Sequence, residues 1–212
     1  MSGTGTADGG RMMATDWREE WPGVVRWWGY SPRHKVDLMS CAVEGTHGWV
    51  VFDPIGWPGV LGEPFGKGIR PVAIVLTNEN HGRDSEAWRA WAGCPVWAAT
   101  DVDPGVKVDR RWPTDGTGPM GWERLDLAGG APGESAWGLA KRNLVVVGDA
   151  VVNLAGRGLE LLPDKYCTDP KRLRESLGVV VAGGWERMLM AHGEPLGSGA
   201  ARRVRGLLGD GD

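Results

Sequence analysis

At 212 residues the chain is long enough to bury one substantial core, and its net charge of −3 gives no electrostatic basis for binding nucleic acid or an anionic membrane surface. The three cysteines, Cys41, Cys94 and Cys167, are widely spaced and form no CxxC pair, which excludes a zinc knuckle or redox dithiol and points to inert thiols in a reducing cytoplasm. No apolar run approaches the roughly 20 residues of a membrane helix, and no signal-like apolar core opens the chain, so a soluble, unexported protein is expected.

Residues 1–20 begin with a Gly, Ser and Thr-rich stretch and are read as a flexible segment, leaving 21–212 as one domain. Val24 to Tyr30, Lys35 to Val43 and Gly48 to Pro54 predict three strands of a meander, the last ending at Asp53. Ile55 to Gly68 reads as a Gly/Pro-rich loop. Its segment Gly62 to Gly68 lacks the preceding strand and the Lys-Ser/Thr ending of a nucleotide loop. Val72-Ala73-Ile74-Val75-Leu76 is apolar without alternation, as in a strand covered on both faces. A helix from Asp84 to Ala92 follows, with Asp84 as an acidic cap and Gly93 as its stop. Pro95 to Ala99 predicts a parallel strand, and Val102 to Thr117 a loop. Strands are expected at Glu123 to Leu127, Ser135 to Ala140, Asn143 to Val147 and Arg187 to Met190, with helices at Asp169 to Leu177 and Gly199 to Leu208. Strands followed by helices, twice over, suggest two packed sheets with helices outside.

Polar residues gather at the strand ends. Asn78, Asn80, His81 and Arg83 lie on the loop between a buried strand and a helix, where α/β proteins place functional groups. His192 sits at another strand end between the small residues Ala191 and Gly193, and Asp149 closes a third strand. His34 and His47 fall in turns and are expected to be exposed. Asp53 reads as a structural tie between its strand end and the central loop. Thirteen Trp against two Phe and two Tyr supply bulk for the core or a cleft.

Four landmarks in order, Val51-Phe52-Asp53-Pro54, Ile74 to Thr77 with its polar loop, Pro132-Gly133 leading to Gly148-Asp149, and Ala191-His192-Gly193, resemble the metallo-β-lactamase fold superfamily over roughly Val24 to Leu208. The resemblance implies an α+β fold, a four-layer αββα sandwich with its site at the edge between two sheets. Active members read Thr-His-x-His-x-Asp-His after the central strand, and those side chains hold one or two zinc or iron ions. Here the matching residues run from Thr77 to Arg83, with Asn78 and Asn80 in place of histidines, Gly82 in place of aspartate and Arg83 in place of the last histidine. Glu134 replaces a further histidine. Only Asp149 and His192 match their ligand positions.

Asparagine offers a neutral carbonyl that binds first-row metals weakly, and a fixed cation at a ligand position repels a metal, so a dinuclear hydrolytic site is not expected. The favoured reading is a metal-free relict site of Asn78, Asn80, His81, Arg83, Asp84, Glu134, Asp149 and His192. In it Arg83 pairs with Asp149, Glu134 or Asp84 and replaces the metal's charge. The alternative is a single zinc, manganese or iron ion held by Glu134, Asp149 and His192, helped by His81. The corresponding functions are a non-catalytic, small-molecule-binding relative, and a divergent mononuclear hydrolase acting on a small ester, thioester or related substrate. Neither nucleic acid nor membrane is expected as a partner, and a homodimer stays open.

Overall fold

The computed structural model describes residues 12–57, 71–112 and 118–209. The run before the polar loop forms β5 (Pro71–Val75), an inner strand of a seven-stranded sheet. Before it come β1 (Asp16–Trp21), β2 (Val24–Ser31), β3 (Val36–Gly45) and β4 (Gly48–Phe52), an antiparallel meander. After it come α1 (Ser85–Ala92), β6 (Val96–Ala98) and β7 (Arg110–Arg111), with β4 to β7 all parallel. The second sheet contains β8 (Glu123–Asp126), β9 (Ser135–Leu139), β10 (Leu144–Val147) and β13 (Arg187–Met190), in the order β13-β10-β9-β8. Between β10 and β13 lie the hairpin β11 (Val151–Leu154) and β12 (Gly158–Leu161), then α2 (Pro170–Ser176) and α3 (Gly178–Ala182); α4 (Ala200–Leu208) closes the chain. This is the expected αββα sandwich.

Burial on both faces explains why the inner strands carry no polar alternation. In β10, Leu144 and Val146 point into the core shared with the first sheet, while Val145 and Val147 point into a second core with Leu173, Leu177, Val180 and Val204 of the C-terminal helical region. Tryptophan fills much of the first core. Trp27 stacks on Trp88 of α1 at 5.2 Å, and both donate their indole N–H to the Ile55 carbonyl, at 3.3 and 2.9 Å. Trp97, Trp112 and Trp137 form a stack that links the two sheets, with centroids 4.7 and 4.1 Å apart.

Three expectations need correction. Asp16–Trp21 are not a flexible segment but an edge strand. It is held to β2 by main-chain bonds and is mostly exposed, so its sequence shows no buried face. Residues 1–11 and most of the Ile55 to Gly68 loop, including Gly62 to Gly68, lie outside the described residues. The Val102 to Thr117 loop contains the two-residue strand β7, too short to carry a pattern, and 113–117 lie outside the described residues. Asp84 holds the capping position of α1 but accepts no capping hydrogen bond, unlike Asp169, which accepts from the Arg172 amide. The β11–β12 hairpin had a legible signal, two short apolar runs about Gly156 and Gly158, both at positive φ.

Two parallel pairs, β4 with β5 and β10 with β13, bring the carboxyl ends of four strands to the inter-sheet edge. Asp53, the Thr77–Arg83 loop, Asp149 and His192 all follow those ends. Truncating the buried Trp27 to alanine is expected to cost about 3–5 kcal/mol in urea unfolding, with little change in the denaturant slope.

Candidate metal centre

Asp53 is 3% exposed and takes a left-handed φ of 47°. Its Oδ1 accepts the Thr77 amide at 2.8 Å, and Oδ2 accepts the Thr77 hydroxyl at 2.6 Å. Oδ2 also lies 2.9 Å from His81 Nδ1, and the Thr77 hydroxyl lies 2.9 Å from the same nitrogen. The hydroxyl has given its only proton to Asp53, so Nδ1 of His81 carries a proton and donates. His192 is fixed in the same way, since its Nδ1 lies 3.0 Å from the Asp37 carbonyl oxygen, which can only accept.

In a neutral ring both Nε2 atoms are therefore bare lone pairs. They lie 3.2 Å each from one oxygen, Asp149 Oδ1, and the two rings meet edge to face at 6.4 Å. That oxygen is buried and makes no hydrogen bond of acceptable geometry. Ligand atoms of His81, Asp149 and His192 all lie within 4.8 Å of one another. Three electron-rich atoms converge on one point, and a cation, either protons or a metal ion, must sit among them.

The remaining acceptors are already used. Asn78 Nδ2 donates to Glu134 Oε2 at 2.9 Å and to Asp149 Oδ2 at 3.2 Å. Glu134 Oε1 accepts the amides of Asp149 at 2.8 Å and Ala150 at 3.2 Å. Glu134 thus braces the Asp149 turn and is not available as the ligand expected of it. Gly148 leaves room for it, since a Cβ there would lie 2.4 Å from Glu134 Oε1 and 2.6 Å from Thr77 Oγ1. Asn80 is exposed at the rim of the cleft, and its amide closes a turn onto Asn78 Oδ1 at 2.9 Å. Any side chain at Gly82 would begin 2.2 Å from the Pro104 carbonyl oxygen, which closes the aspartate position to a ligand.

Arg83 does not do what the sequence suggested. Its Nη1 donates to the carbonyls of Met39 at 2.6 Å and Asp53 at 2.9 Å, and among the described residues it forms no ion pair with Asp149, Glu134 or Asp84. Buried main-chain carbonyls need donors, and Arg83 supplies one to each of these two. With φ 39°, Arg83 is strained like Asp53, and each conformation costs roughly 1–2 kcal/mol. Its charge acts at a distance, helping to hold Asp53 low.

Burial is the largest single influence on Asp53 and Asp149 and would raise both, but His81 with Arg83 and Thr77 at Asp53, and His81 with His192 at Asp149, together exceed it and hold both carboxyls below the usual carboxylate range. Burial would also discharge His81, but Asp149, and then Asp53, push it up to about 9. Glu134 moves the other way, because burial and then the charge of Asp149 push it up to about 8.

The centre opens into a cleft of about 500 Å³. Its far wall, with Val152, Leu154, Leu162 and Tyr166, comes from the β11–β12 hairpin and the turn after it. Arg157 and Lys165 also line it, and no motif in the sequence marked them. His34, exposed as expected, lines the opposite side. His47 is also exposed, away from these lining residues.

Compared with solved structures, the chain superimposes on a run of metallo-β-lactamases. TMB-1 matches at 10% identity over 92% of this chain and 97% of that one, with a TM-score of 0.72. A metallo-β-lactamase from Erythrobacter litoralis matches at 15% identity over 92% and 96%, with a TM-score of 0.71. The chain has the metallo-β-lactamase fold. TTHA1623 in a di-iron-bound form matches at 25% identity over 78% of this chain and 90% of that one, with a TM-score of 0.60. No family model matches the sequence, and comparison with curated proteins returns no match. Within this fold the present chain keeps the inter-sheet edge as the place where its polar residues converge. No helix among the described residues is long and apolar enough to cross a membrane.

Two measurements follow. A carboxyl with a higher pKa folded than unfolded holds a proton that the unfolded chain has released. Glu134 therefore makes metal-free stability fall as pH rises from about 4.5 to about 8, and Glu134→Gln is expected to flatten thermal melts across that window. Arg83→Met should cost about 1–3 kcal/mol, read by urea unfolding, because the Met39 carbonyl loses its Arg83 donor and the Asp53 carbonyl keeps only the Ser40 hydroxyl.

Proposed function

We propose that this chain is a mononuclear metal-dependent hydrolase of small ester, thioester or related substrates, with one ion held by His81 Nε2, Asp149 Oδ1 and His192 Nε2. The observation that carries this reading is the forced tautomer of both histidines, which aims two lone pairs at one buried, unpartnered carboxylate oxygen. Histidine ligands whose second nitrogen donates to a carboxylate or carbonyl are the usual arrangement around bound metals. Two imidazoles and one carboxylate suit zinc, iron or manganese. A structure of similar fold, TTHA1623, is in a di-iron-bound form. A second ion is disfavoured here, because Asn78 takes Asp149 Oδ2 and Gly82 has no room for a ligand.

When bound, such an ion supplies Lewis-acid polarisation of a carbonyl or phosphoryl oxygen. The protein's own residues do the rest. Asp53 fixes the His81 ring, the Asp37 carbonyl fixes that of His192, and Glu134 with Asn78 fixes the Asp149 carboxylate. Val152, Leu154 and Leu162 take the apolar part of a substrate and exclude water from it. Arg157 and Lys165 offer donors to an anionic part.

A second reading has its own support. In the metal-free protein His81, raised to about 9, bridges Asp53 and Asp149 as an imidazolium, so a proton takes the place of the ion. Calorimetric titration of chelator-stripped protein with zinc and with cobalt separates the two. About one equivalent is expected, lost in His81→Ala and in His192→Ala and kept in Glu134→Gln. Absence of binding to the wild type leaves only the imidazolium form. A screen of esters, thioesters and phosphodiesters with the loaded protein then tests turnover, which should vanish in Asp149→Ala.

A further inference from the structure

His192 rests on a loop that contains no rigid element of its own. Its neighbours Ala191 and Gly193 have no side chains that can grip, and Gly193 takes a φ of 91°. On one side the loop leans on Asn153, through Asn153 N to the His192 carbonyl at 3.2 Å and Asn153 Nδ2 to the Glu194 carbonyl at 2.8 Å. On the other side, toward the first sheet, main-chain groups of Asp37 and Met39 hold residues 191–192, and the side chain that holds residues 193–194 is Arg26.

Arg26 lies in β2, is 2% exposed, and spreads its guanidinium over four partners. Nε donates to Glu20 Oε1 at 2.8 Å, Nη1 to the Gly193 carbonyl at 3.0 Å and to Met39 Sδ at 3.6 Å, and Nη2 to Glu194 Oε2 at 2.8 Å. The Trp28 ring closes over it, with Cζ 4.7 Å from the centroid. A fork of fixed geometry joined to two successive residues sets position and direction together, which a flexible ammonium cannot do. The same sheet supplies the Asp37 carbonyl that takes the His192 Nδ1 proton, and Met39 N bonds the Ala191 carbonyl at 2.9 Å. Arg26 thus locks the loop against the strand that selects the tautomer of His192.

We propose that Arg26 is the positioning residue for His192, holding the 193–194 turn so that Nδ1 meets Asp37 and Nε2 meets Asp149. The part of this concerning metal affinity rests on the proposed metal site; the part concerning the ring does not.

The test uses the full chain, ¹⁵N-labelled and metal-free, with long-range ¹H–¹⁵N spectra of the histidine rings, followed by cobalt titration read by visible absorption. Arg26→Met is expected to release His192 from a single Nδ1–H tautomer while leaving the His81 signals in place, and to weaken cobalt binding about 10–100-fold. Glu194→Gln, at a largely exposed side chain, removes one prong and should weaken binding by a smaller factor with a partial change of tautomer. If Arg26→Met does not fold, Arg26→Lys keeps the charge without the fork and is expected to show the same release of His192. A folded Arg26 variant with wild-type His192 signals overturns the proposal. Failure of the wild type to bind cobalt overturns the metal reading instead, and the ring spectra then decide the role of Arg26 alone.

Discussion

A carboxylate taken out of water must find donors for its lone pairs, and Asp53 finds all of them on one loop. The Thr77 amide, the Thr77 hydroxyl and the His81 ring converge on it from the turn after β5. This one group consequently settles where the loop runs and which nitrogen of His81 carries the proton. It thereby fixes what the other nitrogen can offer to Asp149. The strained φ of Asp53 is tolerated because its hydrogen bonds over-determine the position. The inter-sheet edge is built outward from this buried charge.

Much of the scaffold was legible because burial on both faces leaves a plain signature. β5 and β10 read as unbroken apolar runs, and each stops at the polar group it presents. Edge elements were harder to read. β1 is exposed and held through its backbone, so its side chains alternate for no core. The β11–β12 hairpin packs one wall of the cleft and contributes little to either main sheet, so the two-sheet pattern did not call for it.

At the centre, residue types were legible while partners were not. A sequence shows that Arg83 brings a cation to a ligand position, but not that buried carbonyls of Met39 and Asp53 will claim it. It shows Glu134 beside Asp149 in the likeness of a ligand set, but not that two amides and Asn78 saturate it. The sequence assigns His81 only a supporting part, yet its ring stands opposite His192. Those partnerships are hydrogen bonds between residues far apart in the chain, which no local pattern contains.

Asn78 couples the two carboxyl groups at this corner. Its amide hydrogens hold Glu134 Oε2 and Asp149 Oδ2 together, two acceptors that would otherwise face each other across a buried space. A histidine at position 78 would remove that bridge and leave the two oxygens without their shared donor. A side chain at Gly82 would likewise meet the Pro104 carbonyl oxygen. The corner is therefore a coupled unit, in which a change at one of these positions calls for changes at its neighbours.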